Sequence, residues 1–90
     1  MNRIVFVGEH PKIYNVRMHK HEHWEVVYCT EGEGAFRFEN QPPIHYKAGE
    51  TVVIPPKVPH ANSGVEGFAN IHIMLESPSF PYHTPFRVAD

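Results

Sequence analysis

The chain has one cysteine, Cys29, in ninety residues. An internal disulfide is therefore excluded, and a lone thiol fits a reducing cytosol. No base stands beside Cys29, so it reads as a small buried hydrophobe rather than a nucleophile. No apolar run reaches the length of a membrane-spanning helix. The start, Met1 to Val7, lacks the long apolar stretch and cleavage site of a secretory signal. A cytoplasmic location is expected. Positive charge is also scarce: eight Lys and Arg are scattered among ten Asp and Glu, a formal net charge of −2. Direct nucleic-acid binding needs a clustered basic surface, and none is visible. No stretch holds helical periodicity long enough for a stable helix. There is no nucleophile–base–acid set of the hydrolase type. Gly32-Glu33-Gly34 lacks the following helix that a phosphate loop requires.

What is present is a series of short β-type runs. Ile4–Val7, Ile13–Met18, Trp24–Thr30, Ala35–Glu39, Ile44–Tyr46, Thr51–Ile54 and Phe68–Leu75 are the strand candidates. Gly8-Glu9-His10-Pro11 is expected to break the first from the second. Glu31–Gly34 is expected to form a tight turn. Pro55-Pro56-Lys57-Val58-Pro59 cannot sit inside a sheet, because proline lacks the ladder donor. It reads as a stiff loop presenting His60. Short strands with frequent turn signals predict an all-β sandwich or barrel. Ninety residues allow one small domain with a modest core.

The unusual count is eight histidines, dispersed along the chain. His19 and His21 differ by two, so on an extended strand they share a face. Glu25 and His23 have the same parity, and His60 enters from the proline loop. Three imidazoles and a carboxylate make a mixed nitrogen/oxygen set suited to a divalent transition metal such as Zn, Fe, Mn or Ni. The same residues without an ion would be a polar floor for a small-molecule pocket.

His19-x-His21, three residues, Glu25, six residues, Gly32 resembles the first motif of the cupins. Gly49, five residues, Pro55, then His60 resembles the second. Three positions depart: Ile13, Lys57 and Gly64 stand where that pattern has glycine, glycine and asparagine, although Asn62 lies nearby. The resemblance covers roughly residues 15–75. It implies a small cupin-type jelly-roll barrel, with His19, His21, Glu25 and His60 at the metal-ligand positions. It also implies a corner between His21 and Glu25, where parity alone leaves a continuous strand open. A narrower likeness runs through His21–Tyr28, Gly32-Glu33-Gly34, Ala48–Pro56, Val58-Pro59-His60 and Ile71-His72-Ile73. These stretches resemble the N-terminal sensor domain of AraC-family transcription regulators. That likeness implies a small-molecule effector, a frequent dimer, and DNA contact through a C-terminal helix-turn-helix domain absent from this chain.

Two functions follow as expectations. One is a ligand-sensing domain that binds a small polar effector, with or without a metal, and has no catalytic residues. The other is a stand-alone metal-dependent cupin enzyme of dioxygenase or isomerase type. Trp24, Arg37, His72 and His23 are the further candidates for ligand binding. Trp24 serves either the packing of the corner or ligand stacking. Arg37 lies between Phe36 and Phe38, exposed or turned inward toward an anionic effector. His72 faces either the lumen or solvent. Residues 1–75 are expected to form the barrel. Residues 76–90 read as a proline- and aromatic-rich tail that begins a truncated segment. A homodimer through Phe68–Leu75 or through Phe80, Tyr82 and Phe86 is expected, against a monomer whose tail folds back on its own barrel.

Overall fold

The computed structural model describes residues 3–76 and 81–88. All its regular structure is antiparallel β. The strands are β1 Arg3–His19, β2 Trp24–Phe38, β3 Ile44–Lys47, β4 Thr51–Ile54, β5 His60–Glu76 and β6 Phe86–Val88. They pair in the order β1-β5-β2-β4-β6, with β3 also on β2. No helix long and apolar enough to cross a membrane is present among the described residues.

Three long strands do the folding. β5 pairs with β1 on one side and β2 on the other along most of its length. Each pairing is interrupted midway. The β2–β5 register slips between Cys29 and Glu31 and again between Gly32 and Ala35. There the sheet bends and curls on itself, as bulges make it do. Gly32 and Gly67 carry the bend with φ of 77° and 86°, where side chains are strained. They also stand face to face, so that a Cβ on Gly32 would collide with the carbonyl of Gly67. The expected tight turn at Glu31–Gly34 is thus a bulge inside one continuous strand. The reason is that β5 runs alongside and keeps both halves of β2 paired. The expected break at Gly8–Pro11 is also absent: β1 runs through it. β1 is an edge strand, and Pro11 falls where the ladder slips between His10 and Ile13, so its missing donor costs little.

The core lies between the curled halves: Val27, Cys29, Phe36, Tyr46, Val52, Ile54 and Phe68 are all buried. Full burial of each large apolar side chain stabilises by roughly 1.5–3 kcal/mol. Cys29 is buried as expected, and burial pushes its thiol pKa up. Ile13, where the cupin pattern has glycine, sits in β1 opposite Phe68 and packs on this core. In the tail, Phe86 pairs with Val53, and its ring lies tilted at 45° against Tyr82, with centroids 4.7 Å apart. Pro78 and Phe80 lie outside the described residues.

The proline loop closes on the corner that precedes β2. Lys57 donates its backbone N–H to the carbonyl of His21 at 2.7 Å. Lys57 does so in the left-handed region, at φ 65°. The turn expected of glycine has therefore been kept without glycine. A non-glycine residue there costs roughly 1–2 kcal/mol, against which glycine loses about 0.5–1 kcal/mol through its freer unfolded chain. Lys57→Gly is expected to raise stability by about 0.5–1 kcal/mol. Urea unfolding of the two proteins with equal m-values would measure it; a less stable variant would show that the lysine side chain matters more than its backbone.

Candidate metal centre

Four side chains converge from four places in the chain. His19 ends β1, His21 lies in the corner, Glu25 opens β2, and His60 opens β5. His19 is paired with His60 across the β1–β5 ladder, which sets two ligands side by side. The chain leaves strand geometry after His19 and resumes it at Trp24. That corner folds Glu25 back beside the histidines. The proline loop ends at His60, where the ladder restarts. One ligand atom from each residue lies within 4.8 Å of all the others. The rings of His19 and His60 have centroids 4.4 Å apart, and those of His19 and His21 4.7 Å.

Backbone carbonyls aim two of the rings. His19 Nδ1 donates to the Arg17 carbonyl at 2.7 Å, and His60 Nδ1 donates to the Val58 carbonyl at 2.8 Å. Each bond places the hydrogen on Nδ1 and leaves Nε2 with its lone pair toward the centre. This creates a conflict at His60. Its Nε2 lies 3.1 Å from Glu25 Oε1, and both groups are buried. A neutral ring already protonated on Nδ1 cannot donate from Nε2 to a carboxylate. A second proton on His60, a proton held by Glu25, or a cation between the two groups would each resolve it. A divalent ion fits: two ligands about 2.1 Å from one ion and at right angles to each other lie about 3.0 Å apart.

The electrostatics prepare the same set. Burial opposes the charge on Glu25, but the His60 hydrogen bond and the nearby His60 and His21 charges outweigh it. The carboxyl pKa therefore lies below its ordinary value. His21, with Nε2 3.7 Å from Glu25 Oε1, is pushed the other way. Burial, with smaller help from His19, His60 and His72, overrides Glu25 and lowers the imidazole pKa. A carboxylate and a neutral imidazole are the forms a metal needs.

The other candidates fall elsewhere. His72 lies on the face of β5 that carries Glu25's partner Met74, so it points to the lumen, half-buried. Trp24 is buried but one residue from Glu25, on the opposite face of β2. His23 stays in the corner, outside the quartet. Arg37 is exposed and lies on the other face from Phe36 and Phe38. His45 is exposed, and its carbonyl accepts from Arg87 at 2.8 Å. Asn62, near the missing asparagine of the pattern, is buried and accepts from the Tyr46 hydroxyl at 2.6 Å. Burial raises the Tyr46 pKa well above its ordinary value, and the Asn62 bond offsets only part of that. The sequence offers no sign of the carbonyls of Arg17 and Val58 as aiming groups. Only the i−2 offset from each histidine hints at them.

Residues 7–67 match a family model described as Cupin domain. The chain is 34% identical over 64 residues to the uncharacterized protein MJ1618 of Methanocaldococcus jannaschii, covering 68% of this chain and 48% of that protein. It therefore spans about half the length of the curated relative it matches. Among solved structures, a cupin-2 domain containing protein from Shewanella frigidimarina superposes with TM-score 0.66 at 26% identity, over 81% of this chain and 78% of that one. The DMSP lyase DddQ of Ruegeria pomeroyi superposes with TM-score 0.67 at 23% identity, over 92% and 40% of the two chains. With most of its length matched by the family model, and with a curled antiparallel sheet around a convergent histidine–glutamate quartet, the chain belongs to the cupin family.

Proposed function

We propose that this cupin holds one divalent transition metal on His19, His21, Glu25 and His60 and uses it to transform a small polar molecule bound in the barrel. The observation that carries the reading is the convergence of four ligand atoms within 4.8 Å of one another, with His60 Nε2 and Glu25 Oε1 buried and 3.1 Å apart. When bound, the ion would supply positive charge to polarise an oxygen of the substrate. The chain's own part is to fix the imidazole tautomers through the Arg17 and Val58 carbonyls and to keep Glu25 ionised. It also backs the site with apolar side chains. The likeness to a lyase supports the enzyme reading over the sensor.

Protein purified without nickel resin is expected to contain about one transition-metal ion per chain. His21→Ala should retain less than about a tenth of it. Elemental analysis by plasma mass spectrometry measures both. Wild-type protein that holds no metal, and takes up none of Zn, Fe, Mn or Ni on dialysis, would falsify the reading. Sensing for an AraC-type regulator needs the same pocket. A thermal-shift screen of small polar molecules, followed by mass spectrometry of each hit, separates the two. A hit recovered chemically changed favours the enzyme, and one recovered intact favours the sensor.

A further inference from the structure

A second polar cluster lies beside the quartet, on the same lumenal face. In the β2–β5 ladder Glu25 stands opposite Met74, and Val27 opposite His72. Glu25 and His72 are therefore diagonal neighbours on one face, with Cβ atoms about 7 Å apart. The two charges act on one another, and His72 also acts on His21. That is the span of a small molecule with one end at the quartet. β1 completes the cluster, with Gly8 opposite His72 and His10 opposite Asn70.

Contacts from three strand neighbours hold the His72 ring. His10 stacks on it, with centroids 4.7 Å apart and planes at 24°. Phe6 lies against it at 5.6 Å. Gly8 makes room: a Cβ there would lie 2.5 Å from His72 Nε2 and 2.7 Å from the Phe6 ring. Asn70, only 4% exposed, accepts from His72 Nδ1 through Oδ1 at 3.4 Å. An amide oxygen only accepts, so the hydrogen sits on Nδ1 and Nε2 keeps its lone pair.

We propose that His72 is the proton-accepting side chain of this site, acting on a small substrate that carries an acidic O–H, N–H or C–H next to the oxygen held at the quartet. Asn70 and Gly8 are its positioning residues. The step is a proton transfer: the substrate's bond to hydrogen breaks, an N–H bond forms at Nε2, and the electron pair stays on the substrate. No oxidant or reductant is needed. The charged or titratable groups facing His72 are His10 from β1 and Glu25 from β2, with His21 beyond. Burial first, then His10, hold its pKa below the ordinary value against the pull of Glu25. At neutral pH the lone pair is thus free to accept. The assignment rests on the metal reading above.

The test uses cobalt(II)-loaded protein and acetohydroxamic acid, which coordinates metals as its anion and must lose a proton to do so. Calorimetric titrations in buffers of different ionisation enthalpy count the protons released. Wild type is expected to release measurably fewer protons than His72→Gln, because His72 takes up part of the proton, whereas His72→Gln releases about one per probe bound. Gly8→Ala, which displaces the ring without removing it, should move toward the His72→Gln count. The cobalt(II) absorption spectrum should be the same in all three. Equal proton counts, with the probe bound in each, overturn the assignment. So does a His72→Gln protein that no longer takes up cobalt(II), which would make His72 a support of the quartet. Wild type that takes up no cobalt(II) overturns the metal reading, and the role of His72 with it.

Discussion

Stripping the metal from loaded protein is expected to lower its melting temperature by about 15 °C or more. An ion that binds only the folded chain stabilises it by about 4 kcal/mol when free metal stands a thousandfold above its dissociation constant. In a domain of this size each kcal/mol moves the melting temperature by roughly 4–8 °C. His60→Ala should remove the metal-dependent part altogether. The effect also has a pH signature. A metal competes with protons for the imidazoles, so loaded protein loses the ion on acidification. The metal-free protein has its own dependence. His21 is held below its ordinary value of 6.5, so the unfolded chain binds that proton first as pH falls. Its stabilising share is complete above about 6.5 and is lost as pH falls from there through the folded value. Glu25 is held below its ordinary 4.5. Its share persists to that point and is lost only at lower pH, as the folded carboxyl titrates. Calorimetric melts with and without chelator between pH 4 and pH 8 would show both. Identical melts at every pH would make the quartet a polar pocket and not a metal site.

Much of this site was legible because ligand chemistry leaves fixed residues at fixed spacings. His19, His21, Glu25 and His60 are named by residue type and interval, and the structure brings all four together. The corner between His21 and Glu25 came only from the cupin pattern, since alternation along a strand also permits a straight chain. Strand positions were mostly legible too, because β-branched and aromatic runs bury well on a pleated surface. The failures share one cause. Gly8–Pro11 and Glu31–Gly34 look like breaks when local preference alone is weighed. In the fold, β5 lies alongside both and its ladder carries each strand through as a bulge. Lys57 shows the converse: its residue type argues against a left-handed turn, yet the hydrogen bond to His21 holds it there. The side of β5 on which His72 lies could not be read from its neighbours, isoleucines on both sides. Register with β2 decides it. Long-range pairing is what the local sequence does not state.

Phe36→Ala is expected to cost about 3–5 kcal/mol of stability and, separately, to weaken metal binding by about tenfold or more. The first effect follows from burial: Phe36 is 3% exposed, and its ring meets Tyr46 at 5.4 Å and Phe38 at 6.4 Å. A loss of that size is a large part of what a small domain has. The second follows from position. The Phe36 ring stands edge-on to His60, with centroids 6.0 Å apart and planes at 65°. His60 is aimed by one carbonyl and by this ring, so removing the ring lets the imidazole tilt away from Glu25. Phe68→Ala is the control. Phe68 is fully buried and touches the same aromatic cluster through Tyr46, at 6.0 Å, but lies past the bulge from His60. It should cost a similar amount of stability and leave metal affinity nearly unchanged. Phe36→Leu provides a milder case, at about 1 kcal/mol, in which the fold survives but the flat support of His60 is gone. Competition with a chromophoric chelator measures affinity on the folded fraction, and denaturant melts measure stability. If Phe36→Leu binds metal as wild type does, or if Phe68→Ala loses it as Phe36→Ala does, the ring acts through global stability alone. If only the Phe36 variants lose metal, the same side chain builds the core and aims the ligand.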